Sequence, residues 1–117
     1  MQFGIDDKSI TKIKAVFYRY PQIEQVIVYG SRAKGTYKNG SDIDLALIGQ
    51  NLDLVLIGKL QGDLDDLMLP YTFDISVLEK ITNPELIDNI KRDGVVFKVH
   101  TVARGDAESA EFKNNSS

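Results

Sequence analysis

The chain contains no cysteine and a single histidine among its 117 residues. The lack of cysteine excludes disulfides, thiolate metal sites and cysteine nucleophiles. No stretch approaches the roughly 20 apolar residues of a membrane span, and the N-terminal residues lack the basic start and apolar run of a signal peptide. The net charge of -3 argues against general nucleic-acid binding. We therefore expect a cytoplasmic protein with no membrane segment.

Length and composition predict one domain followed by a polar tail. The apolar fraction of 43% and the charged fraction of 26% are ordinary for a globular domain. Apolar periodicity continues to about residue 102, whereas the residues after it are polar and patternless. We expect a folded domain over residues 1–102 and a disordered tail over residues 103–117.

Apolar spacing within the domain predicts alternating helices and strands. A helical turn is expected at 31–34, and the segment Thr82-Asn83-Pro84-Glu85 resembles a capping box that starts the last helix. The three longer helices are predicted over residues 8–20, 51–67 and 82–93. The four strands are predicted over residues 25–29, 42–48, 71–78 and 95–99.

The most informative part of the sequence is a glycine–serine pair followed by two alternate aspartates. Gly30 and Ser31 follow the first predicted strand, and Asp42 and Asp44 open the second. A site that joins these ends requires the two strands to be antiparallel. The helix between strands two and three favours a parallel pair, which would bring Asp74 to the same edge. We expect an α+β fold, a mixed sheet of three or four strands flanked by helices.

Three carboxylates at one sheet edge repel one another unless a cation joins them. Oxygen ligands without histidine or cysteine suit Mg²⁺ or Mn²⁺, and two such ions about 3.5–4 Å apart serve phosphoryl and nucleotidyl transfer. We therefore predict that Asp42, Asp44 and Asp74 are the catalytic and metal-binding residues, with two Mg²⁺ ions as the cofactor and Mn²⁺ as the alternative.

The polar groups around the glycine–serine pair predict a nucleotide site. Glycine lets the backbone approach phosphate oxygens closely, and the turn after it directs N–H groups and the serine hydroxyl toward them. Nearby arginine and lysine side chains, including Lys38, neutralise a triphosphate. The predicted nucleotide-binding residues are Gly30, Ser31, Arg32, Lys34 and Ser41.

Each of these features has a structural explanation when it is taken alone. The two aspartates of the second strand also fit a solvated strand face, Asp74 fits a surface residue, and the cations after Ser31 fit a charged loop. The stretch from Gly30 to Thr36 nearly matches a P-loop, but the lysine before the threonine is missing. No Gly-x-Gly-x-x-Gly motif supports a dinucleotide-binding fold.

Taken together, Gly30-Ser31, a spacer, Asp42-Ile43-Asp44 and a later acidic strand residue resemble the nucleotidyltransferase superfamily that includes DNA polymerase β. The resemblance covers roughly residues 8–100 and points to its minimal nucleotidyltransferases (MNT). It implies that the Asp42–Asp44 pair binds both metals. It also implies that Asp74 binds the catalytic metal and helps to deprotonate an acceptor hydroxyl, while the glycine–serine pair holds the β- and γ-phosphates.

The resemblance further implies transfer of a nucleoside monophosphate, AMP from ATP, to an acceptor hydroxyl with release of pyrophosphate. Minimal members resemble antitoxin subunits that pair with a helical HEPN-type toxin, and some adenylylate a tyrosine of that toxin. One alternative is a nucleotide-binding antitoxin that acts by complex formation without catalysis. Another is a small-molecule (antibiotic) nucleotidyltransferase, although the acceptor-binding region of such enzymes is missing. The acceptor, the base preference and the oligomeric state, including a homo-oligomer, stay open.

Overall fold

The structure is a computed structural model that describes residues 2–38 and 40–99. The predicted tail, and the last residues of the predicted domain, lie outside the described residues. The helices are α1 (Asp7–Tyr18), α2 (Ser31–Lys34), α3 (Leu54–Asp65) and α4 (Pro84–Asp93), with a 3₁₀ turn at Leu78–Lys80. The strands are β1 (Ile23–Tyr29), β2 (Ile43–Gly49), β3 (Phe73–Val77) and β4 (Val95–Val99). None of the helices in the described residues has the length and apolar character of a membrane span.

Side-chain caps set the starts of the three long helices. The carboxylate of Asp6 accepts a hydrogen bond from the Ser9 N–H before α1, at 3.2 Å. The carboxylate of Asp53 accepts one from the Leu56 N–H at 2.9 Å, so α3 begins three residues later than the predicted position 51. The cap of α4 is Asn83 rather than Thr82, with Pro84 in the first turn. The predicted capping box is therefore wrong by one residue, because the asparagine side chain accepts from the first free N–H groups.

The four strands form one mixed sheet in the order β3-β2-β1-β4. Strand β1 is antiparallel to β2 and to β4, and β2 is parallel to β3. The predicted α+β fold is confirmed, including the antiparallel first pair and the parallel second pair. In this arrangement the end of β1 and the starts of β2 and β3 meet at one edge of the sheet.

The alternation of side chains along β2 divides the core between the two faces of the sheet. On one face, Leu45 lies in a large buried cluster with Phe17 of α1 and Leu60 of α3. On the other, Ala46 lies in a smaller cluster with Ile90 of α4. Full burial of a large apolar side chain stabilises a fold by roughly 1.5–3 kcal/mol. The larger cluster therefore anchors the sheet. Asp44, which shares a face of β2 with Ala46, lies on the side of the smaller cluster and of α4.

A polar contact joins the end of α1 to α3 outside this core. The Tyr20 hydroxyl donates to Asp63 Oδ2 at 2.5 Å, and Arg19 Nη1 lies 4.0 Å from the same oxygen. Burial, followed by the hydrogen bond and the negative charge of Asp63, raises the pKa of Tyr20 from 10.0 to about 12. The folded state thus retains this proton at a pH at which the unfolded chain loses it, and stability falls as the pH rises from 10 toward 12.

We expect Tyr20→Phe to lower the free energy of unfolding by about 1 kcal/mol near pH 8, because a partly buried hydrogen bond is lost. The difference in unfolding free energy between variant and wild type should shrink at about pH 11. At that pH the unfolded wild type is stabilised by releasing the Tyr20 proton that its folded state retains. Urea unfolding followed by circular dichroism measures both values. In a double-mutant cycle, Asp63→Ala should remove most of the effect of Tyr20→Phe. An equal difference at both pH values would contradict this account.

Candidate functional site

Strand pairing brings the three predicted carboxylates to adjacent positions. Asp44 is the direct neighbour of Asp74 in the parallel β2–β3 pair and of Tyr29 in the antiparallel β1–β2 pair. Asp42 precedes β2, and its carboxylate accepts a hydrogen bond from the hydroxyl of Thr72, which precedes β3. Because alternate residues share a face, all three aspartates lie on the α4 side of the same edge.

Asp44 occupies the most constrained position of the three. Its carboxyl is partly buried, whereas Asp42 and Asp74 are exposed. Burial, and then the carboxylates of Asp74 and Asp42, raise the pKa of the Asp44 carboxyl. In the part of the chain that the structure describes, none of the three forms a salt bridge with a lysine or arginine. Among the described residues, the negative charge of the three aspartates therefore has no lysine or arginine partner.

The glycine–serine turn lies against the Asp44 carboxylate. Gly30 has φ 75° and ψ -153°, a combination that is essentially restricted to glycine. A Cβ atom at this position would overlap Asp44 Oδ2. Both the backbone conformation and the close approach thus require glycine, and they bring the end of β1 into contact with the second residue of β2.

The chemistry of the three carboxylates fits a hard divalent cation. They offer only oxygen donors. Burial first, and then repulsion from Asp74 and Asp42, raise the pKa of Asp44, and a bound cation relieves that repulsion. As they stand, no three acidic or histidine side chains among residues 2–38 and 40–99 are arranged to hold an ion. One oxygen of the Asp42 carboxylate accepts a hydrogen bond from the Thr72 hydroxyl. Asp42, Asp44 and Asp74 remain the predicted ligands.

The predicted phosphate-binding residues fall into two groups. Ser31 begins α2 beside Gly30, and Lys34 is exposed at the end of the same helix. Arg32, in contrast, is only 4% exposed, and its guanidinium donates to the backbone carbonyl oxygens of Phe3 and Ser41. These contacts favour a structural role for Arg32, whereas Ser31 and Lys34 lie where a bound anion can reach them.

Ser41 also takes part in loop structure. Its hydroxyl oxygen accepts from the Lys38 N–H at 2.9 Å, and its own N–H donates to the Lys38 carbonyl at 2.9 Å. The Lys38 side chain is exposed. Ser41 therefore shapes the loop before Asp42, and its assignment to the nucleotide remains a prediction.

Two residues of the site were missed by the sequence analysis, Tyr29 and Thr72. Tyr29 is 6% exposed and pairs with Asp44 across the β1–β2 strands. Burial, and to a smaller extent the charges of Asp44 and Asp74, raise the pKa of Tyr29. Tyr29 is therefore a neutral residue beside the carboxylates. Strand alternation could have identified Thr72, because this residue precedes β3 and shares the parity of Asp74 and Ser76 on that strand.

Comparisons with known proteins agree with this architecture. The family model "Polymerase beta, Nucleotidyltransferase" matches residues 11–100. No curated protein sequence matches the chain significantly. Three similar solved chains, each under 25% identical, show a shared fold.

The first of these chains comes from a toxin–antitoxin complex with AMP-PNP. It is 20% identical, with a TM-score of 0.62 over 95% of this chain and 86% of that one. The second comes from a tri-AMPylated Shewanella oneidensis HEPN toxin in complex with MNT antitoxin, at 17% identity and a TM-score of 0.60 over 95% and 85%. The third is described as a minimal nucleotidyltransferase, at 22% identity and 0.61 over 81% and 95%.

The close approach of Gly30 to Asp44 predicts a large cost for a side chain at position 30. We expect Gly30→Ala to lower the free energy of unfolding by about 3 kcal/mol, since the backbone is strained and the carboxylate must move. Gly35→Ala is the matched control: Gly35 also has a positive φ, 81°, but a Cβ there meets nothing within 4 Å. Its cost should be about 1 kcal/mol. Urea unfolding of both variants measures the difference, and equal losses would show that Asp44 does not press on the turn.

Proposed function

Because the chain belongs to the polymerase β nucleotidyltransferase family, we propose that it transfers AMP from ATP to an acceptor hydroxyl in a Mg²⁺-dependent reaction. The observation that carries the proposal is the contact of the glycine-only turn at Gly30 with the Asp44 carboxylate. A turn able to approach phosphate and a carboxylate in need of a cation are thereby neighbours. Such neighbours suit a metal–triphosphate complex, because the turn can bind the phosphates and the carboxylate can bind the metal.

In this mechanism the turn binds the donor. The N–H groups after Gly30 and the Ser31 hydroxyl hold the β- and γ-phosphates, and Lys34 adds positive charge near them. Asp42 and Asp44 would hold two divalent cations and Asp74 one of them, and these ions supply charge neutralisation when bound.

Asp74 then serves the acceptor. Its carboxylate accepts the proton of the incoming hydroxyl, the oxygen attacks the α-phosphorus in line, and pyrophosphate leaves. The exposure of Asp74 suits this role, since the acceptor must reach it from solution. The chain's contribution is mainly positioning and electrostatic complementarity.

The acceptor hydroxyl, we propose, belongs to a HEPN-type protein partner, with this chain as the antitoxin of the pair. Two of the similar structures are toxin–antitoxin complexes, one with AMP-PNP and one with an AMPylated HEPN toxin. These two similar structures support a separate protein as the source of the acceptor hydroxyl.

A second candidate function is a nucleotide-binding antitoxin that neutralises its partner by complex formation alone. The arrangement of the side chains is compatible with this candidate, because no three acidic or histidine side chains among residues 2–38 and 40–99 are placed to hold an ion. Catalysis requires the three aspartates to come together when Mg²⁺ and nucleotide bind, whereas neutralisation by complex formation does not.

We expect Asp44→Asn to reduce Mg²⁺-dependent transfer of labelled AMP by at least about a hundredfold, since one charged ligand is lost from the reacting centre. Its melting temperature without Mg²⁺ should equal or exceed that of the wild type, because a partly buried and repelled charge is removed. Mg²⁺ with ATP should raise the melting temperature of the wild type more than that of the variant. Asp65→Asn, which removes an exposed carboxylate from α3, should behave as the wild type. Full activity in folded Asp44→Asn would refute the proposal.

The partner proposal predicts that the chain alone binds ATP with Mg²⁺ but transfers label only when a HEPN-type protein is added. Mass spectrometry of that protein should then show an added AMP on a side-chain hydroxyl. The double variant Asp42→Ala/Asp44→Ala separates the two candidate functions. Loss of toxin neutralisation in this variant supports catalysis, whereas neutralisation at the wild-type level supports complex formation. Efficient transfer to a small molecule by the chain alone would contradict the partner proposal.

A further inference from the structure

Arg32 forms a bridge between two segments that flank the proposed site. Its Nε and Nη2 atoms donate to the Ser41 carbonyl at 3.1 and 2.8 Å, and Nη1 donates to the Phe3 carbonyl at 2.8 Å. All three guanidinium nitrogens therefore have backbone partners. Since the side chain is only 4% exposed, most of its donors are already committed and little of it is open to a ligand.

Two tyrosine rings complete the surroundings of this guanidinium. Its central carbon lies 5.1 Å from the ring centroid of Tyr37 and 5.4 Å from that of Tyr71. Both distances fall within the range of a cation–π contact. The rings come from the loop before β2 and from the segment before β3, so the arginine also ties these two segments together.

The N-terminal residues close over the same side chain. Gln2 and Ile5 exchange backbone hydrogen bonds of 3.0 and 2.7 Å, which form a tight turn around Phe3 and Gly4. A Cβ at Gly4 would lie 2.6 Å from the Tyr37 ring and 2.9 Å from Arg32 Nη1. The turn thus packs directly on the arginine and on the ring beside it.

The place of these contacts in the sequence gives them a functional meaning. Arg32 lies two residues after Gly30, on the helical turn that carries Ser31, and Ser41 immediately precedes Asp42. The planar guanidinium of Arg32, which donates two hydrogen bonds to the Ser41 carbonyl, therefore links the proposed phosphate-binding turn to the proposed metal-binding pair.

We propose that Arg32 is a positioning residue that sets the spacing between the glycine–serine turn and the Asp42–Asp44 pair, and does not itself bind phosphate. The inference deepens the proposed function and rests on it for its catalytic meaning. Its mechanical part, the anchoring of the loop at Tyr37 and Ser41, is independent of any reaction. Lysine cannot replace the arginine here, because an ammonium group cannot bond two carbonyl groups in this planar geometry between two rings.

Cleavage by chymotrypsin after Tyr37 tests the mechanical part. We expect Arg32→Lys and Arg32→Met to speed cleavage of the Tyr37–Lys38 bond by about tenfold, because the loop opens more often once its anchor is lost. Arg92→Met is the matched control, since Arg92 contacts only Asn89 and Asp93 on its own helix among the described residues. It should cleave at the wild-type rate, and mass spectrometry identifies the bond.

Binding of ATP with Mg²⁺, measured by titration calorimetry, tests the functional part. Both Arg32 variants should weaken the affinity by a similar factor of about ten, because binding and loop closure are coupled. By the same coupling, ATP with Mg²⁺ should slow the cleavage of wild type after Tyr37. If Arg32→Lys keeps wild-type affinity and only Arg32→Met loses it, the positive charge matters and the positioning role is overturned.

A variant that retains Arg32 covers the case in which its replacements fail to fold. Gly4→Ala disturbs the anchor from the N-terminal side, and we expect faster cleavage after Tyr37 with a cooperative thermal transition. Wild-type cleavage rates in every folded variant would overturn the inference. If the wild type binds no ATP, the proposed function fails, while the cleavage rates still decide whether Arg32 anchors the loop.

Discussion

The repulsion among carboxylates at one edge of the sheet is the constraint on which the proposed site depends. Asp44 carries its charge partly buried beside Asp42 and Asp74, and its pKa is raised as a result. Such an arrangement costs stability in the free protein unless a cation is present. The rest of the fold has to hold the edge together against this repulsion. It does so through a rigid sheet whose opposite face is the larger hydrophobic cluster.

The register of β2 connects that constraint to the glycine–serine turn. Because β2 pairs with both β1 and β3, one position, Asp44, contacts the end of one neighbour and the start of the other. A shift of one residue would turn the carboxylates into the large cluster and move Leu45 out of it. The apolar alternation of β2 therefore fixes the place of the charges. The burial of Leu45 and Leu47 is as important to the site as the aspartates themselves.

Much of this arrangement could be predicted from the sequence, because strand parity and connection length are local properties. The parallel pair follows from connection length, whereas the antiparallel pair and the meeting of Gly30 with Asp44 follow from the requirement that the motif forms one site. The role of Arg32 could not be predicted in this way. Its partners, Phe3 and Ser41, are 29 and 9 residues away, and no periodicity links them. A basic residue after a glycine–serine pair suggests a phosphate ligand, and only tertiary contacts show that its donors are occupied.

The two ends of the carboxylate cluster differ in a way that fits a divided reaction. Asp44 is held between two strands and against the Gly30 turn, so it cannot move without disturbing the sheet. Asp74 lies on β3, at an end of the strand order β3-β2-β1-β4, and it is exposed. A rigid, enclosed carboxylate suits the binding of a donor whose phosphates must be aligned. An exposed one on an edge strand suits an acceptor that arrives from another molecule. Under the proposed function, the donor half of the reaction thus lies where β1, β2 and the Gly30 turn constrain Asp44, and the acceptor half lies on an exposed edge strand that a partner protein can cover.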